Sequence, residues 1–210
     1  MTKVLIVEDD PMARKLLEIF VSESERYTVA HAIDSASMAE LYCIKNDIDL
    51  ILMDVCTAMN ANGLDAAAKI KSSFPEIKII IITSQPECSF IDRARSIGVD
   101  SFWYKESTAE KVISVMDRTM SGESVYPDTT PMLRLGNALS VDFTDKELEV
   151  LRELTGGEPD AVIADKLHIS LRTVKAHIQN MRDKTGFRNR TELAVRAREC
   201  GLVINEYKEG

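Results

Sequence analysis

Four acidic positions and one lysine carry the chemistry most open to use in this chain: Glu8, Asp9 and Asp10 in a row, Asp54, and Lys105. Each follows directly on a short apolar run, Val4-Leu5-Ile6-Val7, Leu50-Ile51-Leu52-Met53 or Ser101-Phe102-Trp103-Tyr104. Another run, 77–82, leads into the hydroxyls of Thr83 and Ser84. Carboxylates crowded together repel and raise one another's pKa unless a cation sits among them. A hard, oxygen-seeking ion such as Mg²⁺, keeping some of its waters, is the natural occupant. With that charge neutralised, Asp54 can attack a phosphoryl group. Thr83 would then donate a hydroxyl hydrogen bond to the product, and Lys105 would supply the matching charge. Singly, each residue has a plainer use. Glu8-Asp9-Asp10 could cap a helix opened by Pro11, Asp54 could cap a strand end, and Lys105 could be a surface lysine. The chemistry needs all of them on one edge of one fold.

The elements that would place them there are legible. Strand-like runs at 3–7, 27–31, 49–53, 77–82 and 101–104 alternate with helical patterns at 11–22, 35–45, 64–73, 86–97 and 108–120. Strands separated by helices of ten to fifteen residues indicate a parallel sheet covered on both faces. The near-continuous apolar run 77–82 fits a strand buried on both sides. Five such units predict an α/β, flavodoxin-like, doubly wound five-stranded parallel sheet over residues 1–120, with ligands at the carboxyl ends of its strands. Every residue singled out above falls at such an end.

Residues 121–140 break the pattern with Ser121-Gly122, Pro127, Thr129-Thr130-Pro131 and Gly136-Asn137, a turn-rich composition that reads as a linker. From 141 to 210 the pattern is helical, predicting a small all-α domain of four helices. Thr144 with Glu147 forms a capping box for the first, which Gly156-Gly157 ends. The second spans about 159–167. The third starts after Ser170 and ends near Gly186, and the fourth runs from 190 to 200 before Gly201.

Charge divides unevenly between the halves. Residues 1–125 hold 13 Lys and Arg against 20 Asp and Glu, a balance of −7, while 126–210 hold 13 against 14. Within the second half, 166–198 contains nine basic residues and only the acids Asp183 and Glu192. That stretch is a candidate phosphate-binding surface, with a solvated helical face as the alternative. The cysteines Cys43, Cys56, Cys88 and Cys200 show no CxxC spacing, so reduced thiols are expected rather than a metal knuckle. No apolar stretch reaches spanning length and the first residues lack a signal-peptide layout, so a cytoplasmic protein without membrane association is expected.

The runs ending in Glu8-Asp9-Asp10, Asp54, Thr83-Ser84 and Gly98-Val99-Asp100-Ser101-Phe102-Trp103-Tyr104-Lys105 resemble, in order and spacing, the receiver domain of response regulators. The resemblance implies that Glu8 and Asp9 are the acidic metal pair, Asp54 the phosphoacceptor, Thr83 the switch hydroxyl, Phe102 the switch aromatic and Lys105 the phosphate partner. It also implies that the backbone carbonyl of Cys56 completes a Mg²⁺ site and that a sensor histidine kinase is the phosphodonor. Phe143-Thr144-Asp145-Lys146-Glu147-Leu148, Ile163-Ala164-Asp165-Lys166-Leu167 and Thr173-Val174-Lys175-Ala176-His177-Ile178 resemble the LuxR-type helix-turn-helix. Together the two halves look like the NarL/FixJ family, whose members bind double-stranded DNA as homodimers.

The residue pattern supports that likeness. Val174, Ile178 and Met181 form a core face for the third helix, leaving Lys175, Ala176 and Gln179 outward near its start, where a recognition helix meets base edges. Lys175 suits guanine acceptors and Gln179 an adenine edge. Arg172, His177, Arg182, Lys184, Arg188 and Arg190 suit phosphates; for His177 a local hydrogen bond is the alternative. Leu193, Ala194, Ala197 and Cys200 form a stripe suited either to dimerisation or to packing on their own domain. The second helix departs from the family pattern with Pro159-Asp160-Ala161-Val162, which predicts weaker backbone contacts from it. Two other functions compete. The first half could serve dimerisation alone, with DNA binding independent of phosphate. A haloacid-dehalogenase-type phosphatase would need a second Asp two residues after Asp54, where Cys56 stands, so an enzyme is not expected.

The loop after Asp54 also departs, having no proline and its glycine, Gly63, nine residues on. Proline lowers loop entropy, so one reading predicts a looser loop, weaker Mg²⁺ binding and slower phosphorylation. The other has the turn-tolerant Asn60 and Asn62 absorb the insertion.

Overall fold

The computed structural model describes residues 1–84, 89–105, 109–127 and 132–203. Contacts divide the chain into two compact units, one built from Met1–Ser84 with Ile91–Asp128 and the other containing Thr129–Gly210. In the first unit the strands are β1 Thr2–Val7, β2 Tyr27–Ile33, β3 Leu50–Met53, β6 Lys78–Thr83 and β7 Ser101–Tyr104. They form one parallel sheet in the order β2-β1-β3-β6-β7. The main helices are α1 Pro11–Ser22, α2 Ala39–Lys45, α3 Gly63–Ser73, α4 Ser89–Ser96 and α5 Ala109–Met120. The start of the expected helix at Pro86, Thr108 at the start of the next, and Cys88 lie outside the described residues.

Alternate strand side chains point to opposite faces, and both faces are buried. Val4, Ile6, Leu50, Leu52, Ile80 and Ile82 pack with α1 and α5 through Leu17, Val21, Val115 and Met116. Their neighbours Leu5, Ile51, Met53, Ile79 and Ile81 are fully buried on the opposite face. Two-sided burial is why these strands read as continuous apolar runs.

The loop after Asp54 is held by hydrogen bonds within itself and to residues 34–36. β4 (Cys56–Thr57) and β5 (Ala61–Asn62) pair as a short antiparallel hairpin. Thr57 Oγ1 donates to the Ala61 carbonyl at 2.8 Å and accepts from Ala36 N at 2.9 Å. Ser35 Oγ and Ala58 N add bonds of 2.8 and 2.9 Å that tie Ala58 to residues 34 and 35. The extra residue is absorbed at Met59, which takes φ 60°, while Asn62 caps α3 by accepting from Leu64 N and Asp65 N. The glycine requirement is steric: a Cβ at Gly63 would lie 1.9 Å from the Asp54 carbonyl oxygen.

The turn-rich stretch contributes to both cores. Val125 is buried in the first, and its carbonyl accepts from Phe102 N at 2.8 Å. Leu135 and Ala138, in the hairpin β8 (Arg134–Leu135) and β9 (Ala138–Leu139), are buried in the second; residues 128–131 lie outside the described set. The second unit continues with α6 Asp145–Thr155, α7 Asp160–Lys166, α8 Leu171–Thr185 and α9 Arg190–Glu199. The Thr144–Glu147 capping box is present. Ser170 caps α8 by accepting from Thr173 N at 3.1 Å. Leu151, Ile163, Val174, Met181, Leu193 and Ala197 centre its core.

A left-handed backbone costs an L-residue about 1–2 kcal/mol, part of which glycine gives back in chain entropy. Met59 adopts it while 73% exposed, with little packing to lose. Met59→Gly should therefore raise stability by about 0.5–1 kcal/mol, seen as a higher urea midpoint at unchanged slope.

Candidate functional site

The carboxyl ends of β1, β3, β6 and β7 bring Glu8, Asp54, Thr83 and Lys105 together. β1 and β3 are neighbours with Val7 opposite Met53, so the residues that follow, Glu8 and Asp54, emerge side by side. Lys105 Nζ lies 2.6 Å from Glu8 Oε2 and 2.7 Å from Asp54 Oδ2. Asp54 Oδ1 accepts from Val55 N at 2.7 Å. Thr83 is fully buried, and its carbonyl accepts from Lys105 N at 2.9 Å.

Of the three consecutive acids, Asp10 does the capping, accepting from Met12 N and Ala13 N at 2.8 Å each. Glu8, only 1% exposed, turns inward, and Asp9 is exposed at the rim. Carboxylate oxygens of Glu8, Asp9 and Asp54 all lie within 4.8 Å of one another. Arg14, which sequence reasoning passed over, braces this corner by donating from Nη1 to the Glu8 carbonyl at 2.7 Å.

Burial drives the electrostatics. It lifts the Asp54 carboxyl above its ordinary pKa, with Asp9 adding to the rise and Lys105 opposing it. Burial and the Asp54 charge likewise raise Glu8. Burial works against the Lys105 ammonium, yet the two carboxylates hold its pKa above the usual lysine value. The donor set fits a hard cation. Of three clustered carboxylates, Glu8 and Asp54 pair with Lys105, and buried Glu8 Oε2 has that ion pair but no well-directed hydrogen bond.

Phe102 is fully buried, its ring edge-on to Tyr104 at 5.3 Å and stacked with Tyr126 at 6.4 Å. Cys56 sits in the β4–β5 hairpin beside the pocket loop.

In the second unit, helical geometry puts Arg172, Lys175, Ala176, Gln179 and Asp183 on the face of α8 opposite Val174, Ile178 and Met181, and all five are exposed. His177 is half-buried and Arg188 exposed. The other basic residues expected at phosphates are engaged within the domain. Arg190 pairs with Asp160 at 2.7 Å and donates to the Glu158 carbonyl. Lys184 lies 2.7 Å from Glu147 Oε2, donates to the Asp142 carbonyl at 2.8 Å and sits over the Phe143 ring. Arg182 bonds Gln179 and the Arg188 carbonyl. The α9 stripe packs inward: Leu193 and Ala197 are fully buried, with Ala194 and Cys200 against the same core.

An acidic pocket holding one lysine on a doubly wound domain, accompanied by a helix-turn-helix module, defines a class of two-part regulator. The family comparisons assign each part. Residues 4–117 match the response regulator receiver domain, and 141–197 match the luxR family of bacterial regulatory proteins. The chain is 30% identical over 207 residues to the response regulator protein VraR of Staphylococcus epidermidis, covering 96% of this chain and 98% of that protein. VraR of Staphylococcus aureus is 29% identical over 209 residues, at the same coverages. A solved structure of two RcsB dimers bound to two parallel DNAs shares the fold, with TM-score 0.62 at 19% identity, covering 94% of this chain and 98% of that one. The chain belongs to the response regulators, in their NarL/FixJ family of DNA-binding transcription regulators. Among the described residues no helix is long and apolar enough to cross a membrane.

Burial raises the Glu147 carboxyl, but Lys184 and Thr144 outweigh it and hold the pKa below the usual glutamate value. A depressed folded pKa contributes stability that is present above the unfolded value and lost as pH falls through the folded one. The second domain should therefore weaken as pH drops below the ordinary glutamate range. Glu147→Gln should flatten that loss in urea unfolding followed against pH. At neutral pH, Lys184→Ala should cost about 1–3 kcal/mol of stability, and Arg172→Ala should stay within about 0.5 kcal/mol.

Proposed function

We propose that Asp54 accepts a phosphoryl group from a sensor histidine kinase, and that the phosphorylated state controls sequence-specific DNA binding by a homodimer in the cytoplasm. The observation that carries this is the Lys105 ammonium 2.7 Å from Asp54 Oδ2, inside a group of three carboxylates. An Asp54 carboxylate oxygen attacks phosphorus. The new O–P bond forms as the N–P bond to the donor imidazole breaks, and the bonding pair leaves on nitrogen. Lys105 then directs its charge to the phosphoryl oxygens, and the buried Thr83 hydroxyl donates to one of them. Phe102 is the aromatic through which β7 responds. Glu8, Asp9, Asp54 and the Cys56 carbonyl would hold Mg²⁺, which when bound supplies charge neutralisation for the transferring group.

On DNA, α8 enters the major groove with Lys175, Ala176 and Gln179 toward base edges. Arg172, His177 and Arg188 are placed for phosphates. Two copies would read half-sites about one helical turn apart.

Intact mass after incubation with acetyl phosphate and Mg²⁺ tests the acceptor. The wild-type chain should gain one acid-labile phosphoryl group and Asp54→Asn none, with unchanged thermal unfolding. Labelling of the Asn variant at wild-type stoichiometry would remove Asp54 from the role. For DNA, Lys175→Ala should cost about 1–3 kcal/mol at a cognate site and relax base preference. Arg188→Ala should weaken binding to every sequence and flatten its salt dependence. An equal loss on all sequences from Lys175→Ala would contradict this sorting.

A further inference from the structure

The outward face of α8 holds an acid that DNA binding alone disfavours. Asp183 stands two residues before the end of the helix, where the macrodipole favours cations, and it faces where DNA phosphates would approach. Its carboxylate is committed: Gln179 Nε2 donates to Asp183 Oδ1 at 2.7 Å. From the other side, Arg182 Nη1 donates to Gln179 Oε1 at 3.0 Å. Arg182 is itself held, its Nη2 donating to the Arg188 carbonyl. The three side chains form one chain of hydrogen bonds, guanidinium to amide to carboxylate, anchored on the backbone after α8.

This chain fixes which end of the Gln179 amide is which. A guanidinium has only donors and a carboxylate only acceptors, so the amide oxygen must face Arg182 and the amide nitrogen Asp183. Each contact uses one of the two N–H groups or one of the two oxygen lone pairs, which leaves one N–H and one lone pair on Gln179 in the plane of its amide. A donor beside an acceptor is what a glutamine needs to bond N7 and N6 of adenine at once. An unrestrained glutamine would have to give up rotamer freedom to reach that arrangement.

We propose that Arg182 and Asp183 are positioning residues that pre-orient Gln179 for adenine, so Asp183 sets base preference without touching a base. The proposal rests on the reading that α8 enters the major groove. It gives Arg182 a role other than the phosphate contact expected from sequence. Helix-surface hydrogen bonds between such side chains are each worth about 0.2–0.5 kcal/mol, so losing the pair should reduce adenine discrimination about two- to fivefold.

The test is selection of bound duplexes from a randomised pool by the phosphorylated full-length protein, with wild type, Gln179→Ala, Asp183→Ala, Asp183→Glu and Gln179→Ala/Asp183→Ala compared. Wild type should enrich adenine at one position per half-site, and Gln179→Ala should abolish that enrichment. Asp183→Ala, which removes one of the two bonds, should lower it about one-and-a-half- to twofold, Asp183→Glu should largely restore it, and the double variant should match Gln179→Ala at that position. If Asp183 acted through its charge alone, Asp183→Ala would instead raise affinity for all sequences and leave the adenine enrichment at its wild-type level. That result overturns the positioning role while leaving the groove reading intact. If Gln179→Ala leaves base preference unchanged, both the positioning role and the assignment of Gln179 to a base edge are overturned.

Discussion

The receiver half depends on one buried arrangement, the Lys105 ammonium held between Glu8 and Asp54. Two carboxylates that close, out of water, repel each other and lose hydration, and one counter-charge compensates only part of this. Sheet topology forces the arrangement. β1 and β3 are adjacent at the centre, so the residues after them must meet, and β7 delivers Lys105 from the edge. The remaining deficit of positive charge makes the pocket receptive to a cation.

The DNA-binding half solves a related problem differently. Its basic residues are divided between those that hold the domain together and those left free on the surface. Lys184 closes the capping box of α6 through Glu147, and Arg190 ties the start of α9 to Asp160 at the start of α7. Arg172 and Lys175 remain exposed on the outward face of α8. A count of positive charge along the sequence therefore overstates the surface available to phosphates.

Much of this was legible in the sequence because the receiver strands are buried on both faces and carry their functional groups at their ends. The runs before Glu8, Asp54, Thr83 and Lys105 located the sheet and the edge at which these residues meet. Residue type alone could not separate the roles of Glu8, Asp9 and Asp10, since capping and pocket formation ask for the same kind of side chain; the family resemblance singled out Glu8 and Asp9, and side-chain direction gives Asp10 to the helix. The inserted residue after Asp54 pointed to slack, yet Ser35, Ala36 and Thr57, partly remote in sequence, hold that loop closed. The partners of Lys184 and Arg190 were hidden for a similar reason: the pairing residues lie 37 and 30 positions away in the chain.

The Glu8–Asp9–Asp54 group is expected to take up Mg²⁺ in place of its missing positive charge. Trp103, the single tryptophan, stands two residues before Lys105 and reports on this edge of the sheet. The most direct measurement is its fluorescence during Mg²⁺ titration of the wild-type chain and of Asp9→Asn. A saturable change is expected, with a dissociation constant in the millimolar range or tighter, and its loss in Asp9→Asn with the fold intact. An unsaturable response of equal size in both proteins would contradict that expectation.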